Sequence, residues 1–349
     1  MNNKRLASID TLRFLAIWGV LIIHGQYFFG WSYKHTIGWV QIPAWLMSKT
    51  TSFSVPLFFI VSGYLFGKAY LKEKNITDVY FKHIQRLLIV FIGWSIIYSL
   101  LWYSIDAIHH WSHVKQYGFI RTYYWYIHDN YLGNPVLLLF VGTAAHLWFV
   151  SALIQSLTLI SFLIILKQES LLIYLGLLIY FLTPFATLYI HPPTGGEYTI
   201  DWNPYIGIFY AIPPIIMGWH LSIGNKLQYP LSYLLLIIGI LLAIGQFAHI
   251  FDSRYLEYFN ISSLLIPLSL VMLALLNTKW SANTIFPHLG QMTLGIYCVH
   301  TLVMYYLGNF SFCKNQFIWA IPLLLITYLS SFIIVLILKN IPLTKKLVV

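Results

Sequence analysis

Charge is what this chain has least of. Asp, Glu, Lys and Arg make up 9% of its 349 residues, against about 25% in a soluble domain. Ten carboxylates and 20 basic residues cannot cover a globule of this length with a solvated surface, which excludes a soluble fold. Cysteine is nearly missing as well. Cys298, inside an apolar run, and Cys313 beyond it are too few for a disulfide framework or a zinc-finger pattern, and leave the redox compartment unread. No Gly/Ser linker, charge block or repeat of about 20–50 residues marks off a second unit, so one membrane-embedded domain over residues 1–349 accounts for the chain. The N-terminal run has cations before an apolar stretch, as a signal peptide does. It lacks a small-residue cleavage site, and Arg13 and His24 interrupt its core, so it reads as a mature helix.

Apolar residues fill the space that charge leaves. They reach 59%, with a mean hydropathy of +0.74, and aromatics reach 18%, including 13 Trp and 26 Tyr, as suits rings at both membrane interfaces. A membrane-crossing helix needs roughly 20 mostly apolar residues, because nothing in hydrocarbon satisfies a bare backbone. That ruler finds ten stretches, near 6–29, 50–70, 86–106, 146–166, 170–190, 205–224, 230–250, 260–277, 290–308 and 317–338. The expectation is an all-α polytopic membrane protein. The segment from Pro135 to Ala145 is too short to span and reads as re-entrant or interfacial.

Lys and Arg set the orientation. With the N-terminus inside, the inner ends collect Lys4, Arg5, Arg13, Lys68, Lys72, Lys74, Lys82, Arg86, Lys167, Lys226, Lys279, Lys339, Lys345 and Lys346. The outer side keeps Lys34, Lys49, Lys115, Arg121, Arg254 and Lys314. Both termini are therefore expected in the cytoplasm. The net charge of +10 is spread through short loops rather than gathered on an accessible face, which excludes nucleic acid as a partner and leaves the lipid bilayer.

Two ionisable residues stand inside the first apolar run. Arg13 and His24 are eleven residues apart, so at 100° per residue they share a helical face, about 16 Å apart along the axis. Asp10, three residues before Arg13, is spaced for an ion pair that reduces the cost of burying the guanidinium. Ionisable groups at mid-membrane cost roughly 2.5–3.5 kcal/mol and usually face a cavity or a partner. An Arg this near a helix start can also snorkel, and a membrane His can simply bridge helices, so spacing alone leaves both readings open.

The wider pattern resembles a known family. Ile9-Asp10-Thr11-Leu12-Arg13, ten residues and then His24 is similar to the first-helix signature of the acyltransferase family 3 membrane proteins. Phe58-Phe59-Ile60-Val61-Ser62-Gly63-Tyr64-Leu65 resembles their Phe-Phe-x-x-Ser-Gly-Tyr/Phe-Leu motif. His146-Leu147-Trp148-Phe149 resembles their His-Leu-Trp-Phe/Tyr segment, and Thr293-Leu294-Gly295-Ile296-Tyr297-Cys298-Val299-His300 their Ser/Thr-Leu-x-x-Tyr-x-x-His segment, all in family order.

The resemblance implies a membrane O-acyltransferase, most often an acetyl-CoA-dependent O-acetyltransferase. Acyl-CoA is then a co-substrate with no bound cofactor, and a hydroxyl of an envelope glycan or lipid-linked saccharide is the acceptor. It implies a bacterial inner-membrane location and His24 as the catalytic residue. A neutral imidazole suits proton removal from a sugar hydroxyl, and a covalent acyl-His is chemically open too. Arg13 matches CoA phosphates through its forked donors, giving a donor path with phosphates inside and thioester near the imidazole. Arg86, Lys82 and His83 stand near the family's two-arginine position, where this chain supplies one arginine; positive-inside topology explains the same cations.

Other residues carry weaker signals. Tyr297 and His300 share a stripe with Thr293 and are expected to line a cavity. His146 begins a helix on the outer side, where an acceptor could enter, with Trp148 as its neighbour or as an interface anchor. Ser62 reads as a packing residue of a Ser-Gly step. The outer His109, His110, His113 and His128 lack metal-site spacing even with Asp106 and Asp129, so no metal is expected. Glu197 and Asp201 offer acidic groups on an outer loop. Pro213-Pro214 marks a kink or broken helix. An exporter or flippase of polysaccharide or lipid-linked sugar is the alternative, and it predicts paired broken helices, of which the sequence offers one.

Overall fold

The computed structural model describes residues 6–28, 47, 51–132, 135–190, 207–224, 227–247, 261–308 and 319–348. Glu197, Asp201, the 191–197 loop and Cys313 lie outside them, as do the side chains of Asp106 and His109. Among the described residues every regular element is helical. In chain order they are α1 (Ala7–Phe28), α2 (Ser54–Glu73), α3 (Ile76–His109), α4 (Trp111–Tyr117), α5 (Phe119–Ile127), α6 (Pro135–Val141), α7 (Trp148–Ile165), α8 (Leu171–Ile190), α9 (Ile208–Ile223), α10 (Tyr229–Phe247), α11 (Ser262–Leu276), α12 (Phe286–Gly290), α13 (Thr293–Gly308), α14 (Ala320–Asn340) and α15 (Lys345–Val348). A π turn at His128–Leu132 and a 3-10 turn at Ala145–Leu147 complete the set.

Each of the ten apolar stretches forms a helix. Five are long and apolar enough to cross a bilayer unaided, and α8, α9, α10, α11 and α13 supply shorter apolar helices. Leu231, Leu234, Ile237 and Leu241 on α10, and Ile321, Leu325, Leu329 and Ile333 on α14, stand exposed, the reverse of a water-facing surface and the pattern of lipid contact. The chain is a polytopic all-α membrane protein. The Pro135–Ala145 piece is short, as expected: α6 ends at Gly142, and Thr143 Oγ1 donates to the Ser95 carbonyl of α3 at 2.6 Å.

Helix α3 departs from the expected span of 86–106. It begins ten residues earlier, because Asn75 organises its first turn: Thr77 N–H donates to Asn75 Oδ1 at 3.0 Å and Asn75 Nδ2 to Asp78 Oδ2 at 2.8 Å. Asp78 to Arg86 is polar on one side yet buries Val79 and Ile84 on the other, so a hydropathy window misses it while the backbone continues. Further along, α15 folds back onto α3. Leu347 sits against Gly93, and the Trp94 indole N–H donates to the Leu347 carbonyl at 3.0 Å.

Without a hydrophobic drive between helices in lipid, close packing of small residues holds the bundle together. The tightest seam joins α2 to α9. Gly63 lies against the Ile215 backbone carbonyl, and Gly218 against the Ile60 carbonyl and Tyr64 N. Pro213 and Pro214, expected to kink or break a helix, are buried inside α9, which runs on past them to Ile223. The start of α1 is fixed by Ser8 Oγ, which donates to the Ala274 carbonyl at 2.7 Å, and by α12, whose Gly290 meets the Asp10 backbone.

Candidate active site

Helix α1 carries Arg13 and His24 on one unbroken element. Arg13 Nη1 donates to Asp10 Oδ1 at 3.2 Å, the i, i+3 pair that the spacing anticipates. Both Arg13 and His24 are partly accessible. Between them on the same face, Ile17 and Val20 are sealed, at 0% and 2% exposure. The stripe is therefore open at its two ends and closed in the middle.

His24 is met by two histidines from far along the chain. Its ring centroid lies 4.9 Å from that of His300 on α13 and 6.4 Å from that of His146 on the 3-10 turn before α7. His146 and His300 are 5.6 Å apart, and Tyr297 stands 5.7 Å from each. His300 is 0% exposed and His146 3%, so of the three imidazoles only His24 presents surface. His146, expected at an outer mouth, is instead packed in the core, because Tyr297 donates its hydroxyl to the His146 carbonyl and draws the turn onto α13.

A hydroxyl relay backs His146. The Tyr98 hydroxyl lies 2.7 Å from the Cys298 carbonyl and 2.7 Å from Thr301 Oγ1. A carbonyl only accepts, so the single Tyr98 proton goes to Cys298, and Thr301 must donate to Tyr98. Thr301 Oγ1 is then an acceptor toward the His146 ring, 3.2 Å from Nδ1 and 3.3 Å from Nε2. The backbone at Cys298 gives the same His146 ring a second hydrogen-bonding partner. Tyr98 and Thr301 were not among the sequence candidates. Trp94, Tyr98 and Trp102 recur every fourth residue, a stripe that could have pointed to the buried Tyr98.

Thr301→Val should therefore destabilise the protein by about 1–3 kcal/mol, since it removes a hydroxyl that bonds both the buried Tyr98 and the buried His146 ring, whereas Thr301→Ser should cost less. Unfolding in mixed detergent, followed by tryptophan fluorescence, reads the difference. Equal midpoints for the two variants would contradict the relay.

The remaining sequence candidates are spread more widely. Trp148 is half-buried, with Phe59 and Tyr210 each 6.1 Å from its ring. Ser62 Oγ donates back to the Phe58 carbonyl at 2.7 Å, a bond within its own helix. Lys82 is exposed and paired with Glu73 at 2.8 Å. His83 bonds the Val79 carbonyl through Nδ1 at 2.8 Å and sets its ring edge-on to Phe66, 5.2 Å away. Arg86 is exposed one turn further along α3.

Among the described residues no group of three His, Cys, Asp or Glu side chains has a metal-holding arrangement, the three central imidazoles included. What they form is a largely buried imidazole cluster with one accessible member, a residue type that can take up and return a proton. No curated protein and no solved structure matches the chain. A family model described as an acyltransferase domain matches residues 6–342. With that match spanning both ends of the bundle and the His24 cluster within it, the chain belongs to acyltransferase family 3 and is a multi-pass membrane acyltransferase.

Proposed function

We propose that this protein transfers an acyl group, most simply acetyl, from cytoplasmic acyl-CoA to a hydroxyl of a cell-envelope glycan or lipid-linked saccharide, in a bacterial inner membrane. The observation that carries this reading is His24 itself: a partly accessible imidazole on α1, backed by two sealed histidines. Arg13 lies one membrane leaflet away, about 16 Å along the helix. An extended pantetheine arm joins points so separated, with its phosphates at the guanidinium and its thioester at the imidazole.

In the direct form of the reaction, His24 removes the acceptor hydroxyl proton as the oxygen attacks the thioester carbonyl carbon. The new C–O bond forms, the C–S bond breaks, and the imidazolium returns its proton to the departing thiolate. The products are the ester and free CoA thiol. The lysine-bearing ends of the bundle face the cytoplasm in this reading, which sets the donor on the Arg13 side. The closed stripe favours group transfer over export of a whole saccharide.

The test is transfer of radiolabelled acetyl from acetyl-CoA to glycan by membranes holding the full-length protein. Arg13→Gln should raise KM for the donor about 10- to 100-fold, the loss of one charge-assisted phosphate contact, and leave acceptor KM unchanged. Acceptor crossing the membrane with no dependence on CoA would overturn the proposal in favour of an exporter.

A further inference from the structure

His300 is set up to hold another imidazole. Its Nδ1 lies 2.6 Å from the Tyr297 carbonyl, and because a carbonyl only accepts, Nδ1 carries the ring proton. The lone pair of neutral His300 is therefore on Nε2. That nitrogen is buried and has no hydrogen-bond partner among the described residues. Unmet acceptors in dry interiors are costly and rare, and they persist where a function uses them.

Three groups stand close enough to be considered as its partner. The Tyr297 hydroxyl is already committed to the His146 carbonyl. The His146 ring is engaged by Thr301 and by the Cys298 backbone. His24 remains: it makes no hydrogen bond to a described residue, and its ring centroid is the nearest of the cluster to His300, at 4.9 Å with the planes tilted by 59°. At that separation a turn of the His24 ring brings one N–H within bonding distance of His300 Nε2.

We infer that His300 is a positioning residue for His24, accepting the His24 N–H on Nε2 and so directing the other His24 nitrogen, with its lone pair, toward the accessible side where substrate arrives. The inference rests on the acyltransferase reading and deepens it. The pair works as the carboxylate and imidazole of a hydrolase triad do, with the Tyr297 carbonyl and His300 in the carboxylate's place. His300 touches no substrate. It fixes which nitrogen of His24 is the base, and it holds the imidazolium when the proton arrives.

The test uses the full-length protein in lipid nanodiscs. His300→Phe fills the space without an acceptor and should lower kcat about 100-fold with donor KM within about twofold. His300→Gln, which keeps a carbonyl oxygen, should retain at least about a tenth of wild-type kcat. Added imidazole should restore part of the rate to His300→Ala. A kcat for His300→Phe within about threefold of wild type, equal losses in the Phe and Gln variants, or no imidazole rescue would overturn the proposal.

A second readout needs no substrate. In histidine ¹⁵N-labelled protein, the His24 ring signals, assigned by their loss in His24→Ala, should report one neutral tautomer in wild type and a mixture in His300→Phe. Unchanged His24 signals would sink the pairing. If those signals shift as expected but wild type transfers no acetyl, the acyltransfer reading fails while the pairing stands.

Discussion

Replacing His24 with Ala should cut acyl transfer by about 10²- to 10⁴-fold while the protein remains folded and inserted. The separation of effects follows from how little the ring does for the fold. His24 is partly accessible and makes no hydrogen bond to a described residue in this structure, so truncating it removes at most the one contact proposed with His300. His146 keeps its bond to Thr301, and His300 its bond to Tyr297. A transfer rate within about threefold of wild type, in protein with an unchanged unfolding midpoint, would remove His24 from the chemistry. The same variant distinguishes the two forms of the reaction. With labelled donor and no acceptor, label retained on wild-type protein and absent from His24→Ala would establish an acyl-imidazole intermediate; no retained label at short times points to direct attack.

The second large effect is structural. Gly63→Ala should destabilise the bundle by about 3 kcal/mol or more, at or beyond the upper end of ordinary overpacking. A methyl there runs into the Ile215 carbonyl, and backbone cannot rotate out of the way as a side chain does. Gly218→Ala should behave alike, since its methyl meets the Ile60 carbonyl and Tyr64 N from the other side of the same seam. Gly176→Ala is the control, because its nearest neighbour is the Ile216 side-chain tip at 3.3 Å, which can yield. Detergent-extracted monodisperse yield and unfolding midpoint should fall for the first two variants and hold for the third. Wild-type midpoints for Gly63→Ala would mean that α2 and α9 have slack at this seam.

Much of the bundle could be read from composition, because lipid leaves the backbone few options and each span leaves a hydropathy trace. The early start of α3 left no such trace, since its first turns lie beyond the apolar run and are held by Asn75. Within one helix, periodicity related Arg13 to His24 and Asp10 to Arg13. It could not relate His24 to His146 and His300, which lie on other elements and meet only through tertiary packing. His146 looked like a mouth residue because it opens a helix; the hydroxyl that buries it belongs to Tyr297, much later in the chain. Ser62-Gly63 was legible as a packing step, whereas Ile215 as its partner was not. Tyr98 and Thr301 sit in apolar runs without a motif, and their part is visible only once the proton of each hydroxyl has been followed.

The sealed middle of the α1 stripe has an electrical side. On the proposed reading the donor binds at one face and the reaction takes place deep in a membrane that the cell keeps charged. A continuous polar slot from Arg13 to His24 would be a wire for protons. Ile17 and Val20, closed at 0% and 2% exposure, are the insulation in that wire. In the proposed reaction a proton handled at the imidazole then leaves with the products instead of running down the membrane potential.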